Sequence, residues 1–120
     1  MAVKEITPEV LVRNKFDADA LAMVAASAQA DGFSIDATSA DHRMLLVFEN
    51  TDVAVAYDIT IKKGNGLQGV KDLTQEIAAG KKAAVVVESG AFKNVSGTNK
   101  GKIIAIPENL AVKMAAIVLP

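Results

Sequence analysis

Proton transfer by an imidazole, the side chain that ordinarily titrates near neutrality, would have to use His42, the chain's only histidine. Asp41 and Arg43 flank it, but neighbours on an extended chain point to opposite faces, so neither is a positioned partner. It reads as a surface or turn histidine. A serine nucleophile would have to use the same imidazole, and no serine stands in a nucleophile elbow. The absence of cysteine excludes disulfides, thiolate metal sites and a cysteine nucleophile together. Carboxylates remain: Asp17 and Asp19 form a D-x-D pair, with Asp31, Asp36 and Asp41 downstream, yet no twelve-residue calcium loop with its glycine is present. These are turn and capping residues.

Gly64-Asn65-Gly66-Leu67-Gln68-Gly69-Val70-Lys71 has the glycine content of a phosphate loop. The lysine comes one position late, Asp72 stands where a hydroxyl is needed, and the following DLTQEI does not read as a helix able to aim N–H groups at an anion. A wide turn is expected instead. Lys93, Lys100 and Lys102 make a basic loop without the interleaved aromatics of a nucleic-acid platform, and Asn94-Val95-Ser96 is a glycosylation triplet in a chain that opens on MAVKEITPEV, with no signal-peptide core. The expectation is a protein without catalytic residues, metal or cofactor.

The elements that would carry any site read as strands. Val53 to Lys63 alternates Val53, Val55, Tyr57, Ile59 and Ile61 with small or polar residues, a period of two over eleven positions. Met44–Phe48 (MLLVF) and Ala83–Val87 (AAVVV) are short apolar runs of the buried-strand kind, and Lys102–Ile106 is stopped by Pro107. In the last segment Leu110, Val112, Met114, Ala116 and Val118 share one face, with Ile117 and Leu119 on the other. Phe33–Ala37 and Leu73–Ile77 are fainter candidates. Alanine-rich Ala18–Ala30 favours helix by propensity but also permits period two, and is expected as a strand because a lone alanine helix packs poorly on an all-β body. Seven or eight short strands at turn-punctuated spacing predict a single antiparallel β-sandwich, of jelly-roll or immunoglobulin-like Greek-key type, over residues 18–120. Residues 1–17 are expected as an extended N-terminal arm, resting on the body's own edge or adding a strand to a neighbour.

Thirteen basic and fourteen acidic side chains leave a net charge of −1, with no electrostatic pull toward nucleic acid or anionic lipid. Residues of apolar type make up 51% of the chain but aromatics only 4%, which suits a close-packed core or flat protein contact better than a wide ligand pocket. No run reaches the roughly 18 apolar residues of a membrane span. Synthesis in the cytosol is expected.

Four pieces in order, the strand end VFENT, the turn IKKGNGLQG, the hairpin AAGKKAAVVVESGAFKN and the apolar closing KMAAIVLP, resemble a family of small structural proteins of tailed bacteriophages and prophages. The resemblance spans about residues 18–120 and leaves the first 17 outside. It implies an all-β protein of the virion, a head decoration or auxiliary capsid protein with no catalytic residues, whose partners are the major capsid protein or other virion subunits. A tail, neck or baseplate component is the nearest alternative, and a host-surface glycan-binding module the next. The expected contact residues are Val10, Leu11 and Val12 of the arm, Gly64, Asn65, Gly66 and Leu67 of the turn, and Ile117 and Leu119 of the final strand. A homo-oligomer is expected, and a trimer would match three-fold lattice sites.

Overall fold

The structure is a computed structural model that describes residues 3–18, 20–37, 43–87 and 89–120. Asp19, Asp41 and His42 therefore lie outside the described residues. Among the described residues ten strands are present: β1 (Lys4–Ile6), β2 (Glu9–Val10), β3 (Val24–Ala25), β4 (Phe33–Asp36), β5 (Met44–Asn50), β6 (Tyr57–Ile61), β7 (Leu73–Ile77), β8 (Lys82–Val85), β9 (Lys102–Pro107) and β10 (Val112–Val118). A single helical turn, α1 (Ser89–Phe92), precedes β9.

The strands form two five-stranded sheets that pack as a sandwich. One runs β1-β4-β9-β6-β7; the other runs β2-β10-β5-β8, with β3 also pairing β10. Alternation decides which residues meet between them. Phe33, Ile35, Ile59, Ile61, Ile77, Ile103 and Ala105 come from the first sheet, and Met44, Leu46, Phe48, Val112, Met114, Ala116 and Val118 from the second, all buried in one cluster. Half of these are β-branched, which suits a pleated, close-packed layer.

The sandwich is not purely antiparallel. β1 lies parallel to β4, with Lys4, Glu5 and Ile6 in register with Phe33, Ser34 and Ile35, and β2 lies parallel to β10 at Ile117 and Val118. Period-two patterning carries no information about a partner's direction, so this was invisible in the residue order. The same pairing corrects the expected arm: the first strand joins one sheet, the chain crosses at Thr7 and Pro8, and the next strand joins the other. Pro8 lacks an N–H and stands in the link, where no ladder needs one. Ile6 is buried in the core cluster, and the Lys102–Glu5 ion pair ties β1 to β9 across the intervening β4.

Two further expectations change. Among the described residues of Ala18–Ala30, Val24 and Ala25 alone form a strand, paired with Met114 and Lys113, and the segment ends in a turn where the Ala28 carbonyl accepts the N–H groups of Asp31 and Gly32. Alanine's small side chain gains little from either regular structure, and the β-branched Val24 is what packs against the core. The alternation at Val53–Lys63 becomes a strand only from Tyr57. Upstream, the Asp52 carboxylate accepts the N–H groups of Ala54 and Val55 at 2.8 and 3.1 Å, and this local turn leaves Val53 and Val55 exposed.

Candidate functional site

Among the described residues, exposed apolar side chains stand at both edges of the sandwich, and Val53, Val55 and Leu110 are exposed in the turns after β5 and before β10. β1 and β2 are the outer strands on one side, and β7 and β8 on the other. At the first edge β2 leads into residues 11–23, which return to β10 as β3. Val10 and Val12 are exposed there, as are Phe16, Leu21 and, at the end of β10, Leu119. Leu11 is half-buried, its N–H bonded to the Val118 carbonyl at 2.9 Å. The excursion is thus anchored to β10 at both ends by backbone pairing while its apolar side chains face water.

The second surface is the β6–β7 connection. Asp72 closes its neck: its carboxylate takes the Lys62 ammonium at 2.9 Å and the Lys63 N–H at 2.8 Å. Beyond the neck the loop lies on residues 91–96. The N–H of buried Gly64 donates to the Ala91 carbonyl at 2.9 Å, Asn65 Nδ2 donates to the Ser96 carbonyl at 3.0 Å, and the Val95 N–H donates to Asn65 Oδ1 at 2.8 Å. The Gly69 N–H closes a turn onto the Gly66 carbonyl at 3.1 Å. A compact loop whose ends meet and whose body is cross-braced holds its tip in place. That tip is Leu67, fully exposed, with exposed Val70 after it and exposed Val95 beside Gly66. Leu67 faces solvent from a rigid mount. Such a side chain is costly to leave in water and is a ready anchor for another protein surface.

Below this loop the two sheets part. Phe48, Ile59, Ile61, Leu73, Ala83 and Val85 line an apolar slot of about 230 Å³ between the open edges β7 and β8, with Gln75 at its rim. At the other edge a shallower trough of about 340 Å³ runs beside Ile6, Thr7 and Glu9, where β10 has no partner strand between β2 and β3.

Of the expected contact residues, Val10, Val12, Leu67 and Leu119 are exposed, while Asn65, Gly64 and Gly66 brace the loop. Ile117 is a correction. It retains only 7% of its accessible surface, because Glu9 and Leu45 stand beside it in register on the two flanking strands. Ile117 is lateral packing, not a free contact. The residue order missed Phe16, whose signal was present: it is apolar in a segment too rich in turn and charged residues to be a strand.

Two carboxylates, Asp52 and Asp72, brace turns. Asp52 is held below the usual carboxylate range by the Ala54 and Val55 N–H groups. Asp72 is lowered by the Lys63 N–H first and then by Lys62. Among the described residues no three His, Asp or Glu side chains group as a metal site would require. The turn Gly64–Lys71 leads into the strand β7, so it presents no helix terminus to a phosphate. Neither the family models nor the curated proteins nor the solved structures contain a match to this chain.

The clasp at Asp72 has a pH signature. A carboxyl depressed by folding stabilises the loop above its unfolded pKa, and that contribution disappears as pH falls through the lower folded value. The Lys63 amide resonance should therefore hold its position down to acidic pH and shift only below the ordinary aspartate range. In Asp72→Asn that inflection should vanish. An unaltered Lys63 titration in the variant would show that Asp72 is not the group responsible.

Proposed function

We propose that this chain is a non-enzymatic structural protein of a tailed-phage virion, a decoration or cement protein that binds the outer head lattice and stabilises it. One observation carries the reading: two exposed apolar surfaces, each mounted on hydrogen-bonded backbone, stand at opposite edges of one rigid sandwich. A body built this way can touch two neighbours at once. Each footprint alone is modest, but two held at a fixed spacing gain through effective concentration, by a factor on the order of 10² to 10⁴. Binding only to the assembled lattice then stabilises it by mass action. The net charge of −1 fits contact by apolar burial, without electrostatic steering. The resemblance of VFENT, IKKGNGLQG, AAGKKAAVVVESGAFKN and KMAAIVLP to the phage structural family points the same way.

The test adds purified chain to undecorated heads and follows sedimentation and heat release of the genome. Saturable binding at a fixed copy number per capsid subunit is expected, with a rise in the temperature at which heads rupture. Val12→Asp should weaken binding by about 10² or more, the loss of one footprint from a bivalent contact. Binding to tails or baseplates in place of heads would move the protein elsewhere in the virion, and binding to no part of the particle would end the reading.

A further inference from the structure

Of the chain's six asparagines, Asn65 alone is followed by glycine; the others precede Lys15, Thr51, Val95, Lys100 and Leu110. We propose that Asn65-Gly66 is a covalent modification site, where spontaneous deamidation turns the carboxamide into a carboxylate and releases the braced loop. In this step the Gly66 amide nitrogen gives its proton to solvent and attacks Asn65 Cγ. The new N–Cγ bond closes a succinimide ring as the Cγ–Nδ2 bond breaks, and Nδ2 takes a proton from solvent and leaves as ammonia. Water then opens the ring at one carbonyl or the other, to give aspartate or, with the main chain rerouted through the side chain, isoaspartate. One water is consumed, one ammonia is released, and nothing is oxidised. The inference goes beyond the virion reading and does not rest on it.

Asparagine is among the thermolabile side chains, and the residue after it governs how readily the ring closes. Glycine leaves the attacking nitrogen unscreened, whereas the branched or long side chains after the other five asparagines crowd it. Among the described residues the Gly66 N–H donates to no backbone carbonyl. Asp31-Gly32 could close the same ring, but there the Gly32 N–H is held by the Ala28 carbonyl at 3.1 Å. Asn65 is exposed, so solvent can supply both base and water. What slows the reaction is the brace itself. Asn65 Oδ1 accepts the Val95 N–H at 2.8 Å and Nδ2 donates to the Ser96 carbonyl at 3.0 Å, so Cγ is committed to another segment until both bonds open. The product cannot rebuild that brace. A carboxylate has no donor for the Ser96 carbonyl and sets oxygen against oxygen. Isoaspartate adds a methylene to the main chain of a loop whose ends are fixed, Gly64 on the Ala91 carbonyl and Asp72 on Lys62. Gly64 has no room to absorb the extra length, since even an added Cβ would fall 2.5 Å from the Lys93 carbonyl oxygen. Leu67 then loses its fixed position.

The test incubates the purified full chain at neutral pH, folded and in urea, and follows intact mass and a peptide map that resolves isoaspartate from aspartate. Conversion at Asn65 is expected to lead all others, and to run roughly 10- to 100-fold slower in the folded chain, the population cost of breaking two hydrogen bonds. Gly66→Ala is the chemical control. Gly66 is not in the left-handed region, and a Cβ there would meet the Val95 methyls at 3.5 and 3.7 Å, ordinary contact distances. This variant should keep the wild-type urea midpoint while conversion falls in both states. Asp72→Asn loosens the neck and should speed the folded chain alone. Asn65→Asp reproduces the aspartate product: exchange of the Gly69 amide should rise by roughly tenfold, the loss of one bracing bond, with β5 and β10 amides unchanged. Earlier conversion of another asparagine, equal rates in the folded and unfolded chain, or a folded chain in which Asn65 never converts would each overturn the site. Unchanged Gly69 exchange in Asn65→Asp would overturn the release of the loop.

Discussion

Replacing Asn50 by alanine is expected to lower the stability of the folded chain by about 3 kcal/mol, read as a drop in the urea midpoint at unchanged slope. Asn50 has no accessible surface at all, and it sits at the end of β5 on the inward face. Its Nδ2 donates to the carbonyls of Val55 at 2.8 Å and Ile77 at 3.0 Å, and its Oδ1 accepts the Asp52 N–H at 3.0 Å. Its backbone exchanges bonds with the β7–β8 turn, N–H to the Lys81 carbonyl and carbonyl from the Gly80 N–H. The side chain thus fixes the loop after β5 and the end of β7, while the backbone ties β5 to the entry of β8. Removing it strands the Ile77 carbonyl away from water, the expensive part, while Val55 and Asp52 can partly recover solvent. Asn50→Asp provides the sharper comparison. A carboxylate there would face two carbonyl oxygens and keep only the Asp52 donor, so at neutral pH this variant should be less stable than Asn50→Ala. Its folded pKa would be raised, and protonation restores a donor. The gap between the two variants should close on acidification. Equal midpoints for wild type and Asn50→Ala would show that the network is not what joins these three segments.

This network also explains where the residue order was legible and where it was not. Met44–Asn50 and Val112–Val118 follow directly from apolar runs, alternation and flanking turn residues, because burial against a second layer outweighs every local preference there. Val53 and Val55 continue the alternation of Tyr57, Ile59 and Ile61 equally well by pattern. They are excluded from β6 by Asn50 and Asp52, whose side chains bind the intervening backbone and offer it a turn in place of a ladder. A competition of that kind is settled by three-dimensional neighbours that hydropathy does not encode. The parallel placement of β1 and β2 has the same character, since strands of three and two residues acquire their partners only once both sheets exist. The candidate contact loop was legible for the opposite reason. Three glycines within Gly64–Gly69 cannot continue a strand, and Leu67 among them has no inward face to occupy. Ile117 misled because an outward position on a sheet is exposed only when its neighbours are small, and here they are Leu45 and Glu9.

Gly32→Ala is expected to lower the stability of the folded chain by about 3 to 4 kcal/mol. Gly32 leaves the Ala28 turn in the left-handed region, at φ 63°, and leads directly into β4. An added Cβ would fall 2.6 Å from Ile106 Cδ1 and 3.1 Å from Ile106 Cα, and closer still to the Ala105 carbonyl oxygen. Ile106 can rotate its side chain away; the β9 backbone is held between β4 and β6 and cannot. The left-handed conformation alone accounts for about 1 to 2 kcal/mol, and forced backbone displacement for the remainder. Gly80→Ala isolates the first contribution, because Gly80 has φ 71° but open space in place of a neighbour. It should lose only about 1 kcal/mol. The Gly32 carbonyl also accepts the Lys4 N–H at 3.0 Å, so displacement there loosens β1, the strand that closes this edge of the sandwich over Ile6. Protection of the Lys4 amide against hydrogen exchange should therefore fall in Gly32→Ala while that of β5 and β10 amides falls only with global stability. Similar midpoints for the two variants would mean that β9 yields at Ala105, and that the edge carrying Val10, Val12 and Leu119 is softer than its hydrogen bonding implies.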